Sequence, residues 1–288
     1  MISSAPLLLL GGRSLVASYL MRRLAAAGHG ADVMSRNALG LPPPFRSVQV
    51  DLNDMKDWRA PKEARVISLV PIWILAESLQ NFTDVQTIIA VSSTSRFGKA
   101  KSDDPVECDT AEKLASAEDI LQNWCLKNGV SYTILRPTMI YDGQHDYNVA
   151  RIATIIRRFG AFPIAAPGKG LRQPIHADDA AKAIMGALDN AAARGKALNI
   201  AGGEILTYRG MVEATFRAMG RKPRPLMLPE VLLRRGFQVA MQLGILHETM
   251  FSAAVFKRMN EDLVFDCNEG LELLGYAPRK FEPEVKSP

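Results

Sequence analysis

Leu7-Leu8-Leu9-Leu10-Gly11-Gly12-Arg13-Ser14-Leu15-Val16-Ala17 decides how the rest of the chain reads. Four leucines closed by glycine have the length of a strand buried on both faces, the kind a parallel sheet uses. The run is far below the roughly 18 apolar residues a membrane span needs, and no Arg or Lys precedes it as in a secretory leader. Beyond the glycines, Leu15, Leu20, Leu24 and Ala27 recur at helical spacing until Gly28 stops them. Strand, glycine turn and helix follow one another without a linker.

Gly11, Ser14 and Ala17 sit at the spacing of Gly-x-x-Gly-x-x-Gly. A dinucleotide fingerprint wants small residues there, because backbone must approach pyrophosphate and helix must pack on strand. Ser and Ala replace two glycines but stay small. Gly12, Arg13, Leu15 and Val16 complete the loop, and free N–H groups at the helix start would face phosphates. The second strand ends in Ser35-Arg36-Asn37. An NAD-preferring site puts an acid here for the ribose 2′-hydroxyl. Arg36 instead suits a 2′-phosphate, with Arg13 as a second cation, so NADP(H) is the expected cofactor and NAD the second choice. Asp51-Leu52, after the third strand, stands where the adenine is contacted. Val70-Pro71 closes the fourth strand at the same end of the sheet.

The alternation continues. Strands are expected at Asp32–Ser35, Ser47–Val50, Arg65–Val70, Thr87–Val91 and Ser131–Leu135, the last stopping before Pro137. A helix is expected over Ala111–Lys127. This is the pattern of an α/β Rossmann doubly wound parallel sheet with helices on both faces. Further on, Val149–Phe159 reads as a basic amphipathic helix and Gly160–Gly170 as a loop. Asp178–Asp189 and Tyr208–Met219 read as helices flanking a strand at Ala197–Ile200. Pro223, Pro225 and Pro229 mark a turn region. Leu232–Met259 reads as helical with a break near Gly244, Leu263–Phe265 as a strand, and Gly270–Pro283 as a turn-rich tail. The expected division is a Rossmann domain over 1–160, rejoined by 174–202, and a smaller C-terminal substrate lobe from 161–173 and 203–288.

Net charge is +5, but no dense Lys/Arg block interleaves with aromatics, which argues against nucleic acid. Cys108, Cys125 and Cys267 form no paired framework, as suits a reducing cytoplasm. The four histidines show no metal-ligand spacing, so no metal site is expected.

Three segments carry a family resemblance. Val91-Ser92-Ser93-Thr94-Ser95-Arg96-Phe97-Gly98 is similar to a Ser-Ser-x-x-Val-Tyr-Gly motif. Leu135-Arg136-Pro137-Thr138-Met139-Ile140-Tyr141 is similar to Leu-Arg-x-x-x-x-Tyr-Gly. Arg172-Gln173-Pro174-Ile175-His176-Ala177-Asp178-Asp179 is similar to Arg-x-x-x-His-Val-x-Asp. In this order they resemble the extended short-chain dehydrogenase/reductase family, in particular nucleoside-diphosphate-sugar epimerases, dehydratases and reductases. The resemblance implies Ser93 as the catalytic hydroxyl, with Thr94 and Ser95 as alternates. It implies cofactor contacts from Ser92, Pro137 and Thr138, and a substrate phosphate on Arg172. The substrate it implies is a small molecule such as a nucleotide sugar.

One element of that family is missing. Its base is a Tyr in a Tyr-x-x-x-Lys helix, where Lys lowers the phenol pKa. Glu107–Glu118 holds Lys113 but no Tyr; Asp109 or Thr110 takes the tyrosine position, depending on whether Lys113 or Glu118 fixes the register. The literal Tyr276–Lys280 match is broken by Pro278. Three accounts follow. The chain binds NADP(H) without chemistry, as a sensor or accessory protein; or Tyr141, His145 or Tyr147 serves instead; or the substrate supplies the group. His145 and Ser95 are also substrate-contact candidates. The apolar 232–259 stretch, flanked by Arg234, Arg235, Lys257 and Arg258, reads as a lobe core, with a homodimer interface or a membrane-surface contact left open.

Overall fold

The computed structural model describes residues 5–55, 58–242 and 254–285. Seven parallel strands form the central sheet, in the order Lys196–Ile200, Ser131–Pro137, Thr87–Val91, Arg65–Ser68, Leu7–Leu10, Ala31–Ser35 and Phe45–Gln49. The first strand lies inside the sheet with every side chain buried, which is why four leucines in a row are tolerated. Leu9, Leu20, Leu24 and Ile184 share the core on one face. Leu8, Leu10, Phe82, Leu114 and Leu121 share the core on the other. A third core, around Ile152, Phe162, Met211 and Phe216, belongs to the C-terminal half.

The helices start and stop by local chemistry. Helix Leu15–Ala26 is capped by Ser14, whose Oγ accepts from Ala17 N–H. The long helix begins at Pro105, a full turn and a half before the expected Ala111. Asp104 caps it and proline occupies its first turn, where no N–H is missed. It ends at Asn128 against Gly129, left-handed at φ 67°.

Several expectations need correcting. The sixth strand does not stop before Pro137: its register continues through Arg136 and Pro137 against Asn199 and Ile200. Ser68 ends the fourth strand, and helix Ile72–Ser78 follows Pro71 at once. The supposed loop 160–170 and the supposed proline turn region contain strands Phe162–Ala165 and Pro225–Leu228, paired in parallel. Leu263–Phe265 makes one isolated bridge, Leu263 with Arg172, rather than a strand. The tail holds helix Asn268–Leu274. The apolar 232–259 stretch yields helices Glu230–Gln242 and Ala254–Arg258; Leu243, Gly244, Leu246, His247, Met250 and Phe251 lie outside the described residues. No described helix is long and apolar enough to cross a membrane.

Candidate active site

At the C-terminal ends of the central strands, where open α/β sheets bind ligands, lies a cavity of about 1110 Å³. The start of helix Leu15–Ala26 forms part of its wall through Arg13, Ser14, Leu15 and Val16. First-turn N–H groups have no intrahelical acceptor and suit an anion. Gly11 is left-handed at φ 84°, and a Cβ there would stand 3.1 Å from the backbone of Leu69 and Val70. A Cβ on Gly12 would come within 2.3 Å of Val33 Cγ1. Gly11 is therefore required by the turn itself, and Gly12 by its close packing on Val33. Arg36 reaches the same cavity from the end of the second strand. Glycine cradle, open helix start and two cations fit the phosphates of a dinucleotide.

Ser92, Ser93, Thr94 and Ser95 line the cavity beyond the fifth strand. The hydroxyls of Ser92, Ser93 and Thr94 differ in their partners. Ser92 Oγ donates to Glu118 at 2.5 Å. Thr94 is buried and donates to the Pro137 carbonyl at 3.1 Å. Ser93 Oγ accepts from Ser95 N–H at 3.1 Å, which leaves its own proton free for a ligand oxygen. Thr94 is thereby weakened as an alternate and Ser93 strengthened. Pro137 and Thr138 also line the cavity, and Thr138 Oγ1 donates to Gln173 O at 2.5 Å.

Beneath the serines, Glu118 is fully buried. Arg136 Nε reaches it at 2.9 Å and Nη2 at 2.5 Å, and Arg96 completes the cluster. This ties the long helix to the segment after the fifth strand, through Ser92 and Arg96, and to the end of the sixth strand, through Arg136. The tyrosine-dyad positions behave differently. Asp109 and Lys113 pair with each other at 2.8 Å, both 58% exposed. Thr110 Oγ1 donates to Val106 O. None of the three lines the cavity.

The other candidates separate cleanly. Tyr141 is fully buried away from the cavity, edge-on to His176 and against Phe281. Burial pushes its phenol up to about 12, although Glu282 N–H donates to it. It is a core residue and is withdrawn as a catalytic candidate. Asp51 accepts from Asn53 in a local turn, Leu52 packs on the core, and Val70 closes on Gly11; none of these lines the cavity. His145 and Tyr147 do line it. His145 Nδ1 lies 3.0 Å from Asp142 and its side chain is 70% exposed. The Tyr141–Asn148 loop is no loose surface segment. Asp142 accepts from the N–H groups of Gln144 and His145, and Asp146 from those of Gly143, Asn148 and Val149. Arg172 is buried. Its Nη1 donates to the carbonyls of Leu171 and Glu261, its Nη2 to that of Arg258, and its guanidinium lies 5.4 Å from the Tyr208 ring. It fastens the 258–263 segment while still lining the cavity.

Residues that sequence reasoning did not single out complete the wall: Lys99, Arg151 and Tyr208. Arg258 also lines it, although the sequence suggested only a helix flank. Among the described residues the cavity gathers six cations, Arg13, Arg36, Lys99, Arg151, Arg172 and Arg258, against one carboxylate, Asp146. These cations come from separated segments, so no sequence block announced them.

The chain is similar to known proteins in sequence and in fold. Residues 68–201 match the NAD dependent epimerase/dehydratase family. All three resemblance segments lie in that match, and the phosphate loop lies before it. A curated relative, the 2′-dehydrokanamycin reductase of Streptomyces kanamyceticus, is 28% identical over 246 residues, 77% of this chain and 69% of its own length. The UDP-glucose 4-epimerase of Thermotoga maritima superposes with TM-score 0.68 at 16% identity, covering 98% of this chain and 94% of its own. The dTDP-glucose 4,6-dehydratase DesIV of Streptomyces venezuelae gives 0.69 at 16%, covering 96% and 92%. The resemblance to extended short-chain dehydrogenases/reductases read from the sequence is borne out, as is the doubly wound α/β fold.

Proposed function

We propose that the chain is an NADP(H)-dependent reductase or epimerase acting on a phosphate-bearing sugar, with a nucleotide sugar as the favoured class. The observation that carries this reading is the single cavity shared by an open helix start, Arg36, a free Ser93 hydroxyl and six cations against one acid. Even the one acid is engaged, since Asp146 is occupied by backbone N–H groups. A polyamine substrate would meet like charge throughout, whereas a diphosphate would be drawn in.

Gly11 to Val16 would hold the cofactor's pyrophosphate, and Arg36 with Arg13 its 2′-phosphate. A bound nicotinamide supplies hydride transfer. Ser93 would donate to the substrate oxygen on which charge develops, a role that costs no reorganisation because its partner Ser95 N–H fixes it beforehand. Residues 161–173 and 203–288 would form the lobe that selects substrate, through Arg151 at its margin and Arg172 and Arg258 within it. One observation favours a second reading, a non-catalytic NADP(H) binder: the dyad positions face solvent.

The deciding experiment is a fluorescence titration with NADPH and NADH, followed by absorbance with a panel of nucleotide sugars and ketosugars. NADPH is expected to bind more tightly, and Arg36→Ala to weaken it about tenfold without affecting NADH. Equal affinities unchanged by that substitution would remove the NADP assignment. Binding without turnover would select the second reading.

A further inference from the structure

The family's phenol is absent, yet the cavity holds another group able to carry a proton. We propose that Lys99 is the proton donor to the substrate oxygen in reduction, and the acceptor in the reverse direction. The inference rests on the reading above, and three observations on the chain itself support it.

First, Lys99 lines the cavity one short helical turn from Ser93. Its N–H donates to Ser95 O at 3.0 Å, and Ser95 N–H donates to Ser93 Oγ at 3.1 Å. The lysine and the free hydroxyl are thus presented by one rigid turn. Second, Asp109, Thr110 and Lys113, the residues at the usual dyad positions, do not line the cavity. Third, the amine sits in an environment that favours loss of its proton. Its side chain is 30% exposed. Burial lowers its pKa, the Arg258 guanidinium lowers it further, and Asp104 acts the other way.

The groups facing Lys99 come from two elements. From the long helix and its cap come Asp104 and Glu107, whose Oε1 is 3.9 Å from Nζ; Cys108 Sγ lies 3.8 Å from the Lys99 carbonyl. From the 254–258 helix comes Arg258, which pairs with Glu107. Ser102 Oγ donates to Glu107 at 2.7 Å as well. Glu107 therefore accepts from Ser102 and pairs with Arg258, while Lys99 lies beyond hydrogen-bond distance, so it does not hold the ammonium as a dedicated partner would. An acid works best when its pKa lies near the working pH.

The step balances. With a reduced nicotinamide bound to supply a hydride to the carbonyl carbon, the carbonyl oxygen would take the proton of Lys99 Nζ as its π pair becomes an O–H bond. The products are the alcohol, the oxidised nicotinamide and a neutral amine, which regains a proton from water. Reductive turnover should therefore fall as pH rises through the Lys99 pKa.

The test has two arms on the full chain. In the first, trace acetic anhydride labels lysines across a pH series, read residue by residue by mass spectrometry, with NADPH bound. Lys99 is expected to titrate below the exposed Lys62 and Lys222, and Arg258→Gln to move it up towards them. In the second, NADPH oxidation is followed with dTDP-4-keto-6-deoxyglucose. Lys99→Met is expected to lower turnover about 100-fold or more with NADPH affinity unchanged. Lys99→Arg should not restore it, since a guanidinium keeps the charge but does not give up its proton. Lys99 titrating with the exposed lysines, or Lys99→Arg retaining turnover, overturns the proposal. Failure of the wild type to bind NADPH overturns the cofactor reading instead, and the unliganded labelling series then still reports on Lys99.

Discussion

Two stretches of the same long helix have fared differently. Around Glu118, a buried carboxylate is held by Ser92, Arg96 and Arg136 and fastens the helix to the sixth strand and to the segment after the fifth, both beside the cavity. Around Asp109, two and a half turns earlier, the side chains pair with each other in solvent. The first stretch holds the scaffold around the cavity. The second holds no Tyr, so the Tyr-x-x-x-Lys dyad of the resembled family is absent from it. One helix thus carries both a buried tie to the cavity walls and a solvent-facing turn that takes no part in them.

The sharpest way to break this contrast is Glu118→Ala. It leaves two guanidiniums without their carboxylate in a buried setting, and we expect a loss of about 4 kcal/mol in chemical denaturation. A loss below about 1 kcal/mol would show that the cluster does not hold the helix in place. Gly12→Ala should cost about 2 kcal/mol, because its methyl would drive into Val33, and it should weaken NADPH binding in the same titration. Unchanged binding would separate the turn from the cofactor. Ser14→Ala removes a helix cap and should lower stability by about 1 kcal/mol. Asp109→Asn is the smallest: about 0.3 kcal/mol, as for an exposed i,i+4 pair, with no change in turnover. A large effect on turnover would return the chemistry to the dyad positions.

The central sheet was readable because its strands are short apolar runs closed by glycine, proline or polar turns. The helix start at Ser14 was readable because capping is local. The lobe strands were not. Phe162-Pro-Ile-Ala165 and Pro225-Leu-Met-Leu228 carry prolines that signal turns, and their pairing joins segments about 60 residues apart, which no periodicity reports. Proline is tolerated there because a two-stranded ladder leaves one side of each strand unpaired. In the site, the cavity wall from Arg13 to Val16 was visible through spacing, and Arg36 through its place after the second strand. Tyr141 misled because polarity and position after a strand do not reveal direction, and its ring turns into the core. Lys99, Arg151 and Arg258 carried no local signal; only folding brings them to one cavity.

One of the sheet's two outer strands, Lys196–Ile200, is closed by residues made much later. Helix Asn268–Leu274 lies beside it, with Gly270 so near that a Cβ would stand 2.3 Å from the Asn199 carbonyl, and Asn199 Nδ2 donates to Asp266 O. A growing chain completes its seventh strand some seventy residues before that cover emerges. During this interval the strand presents a bare row of backbone groups to any neighbouring chain. Nascent chains halted before residue 266 should accordingly associate with one another, and those that reach residue 281 should not.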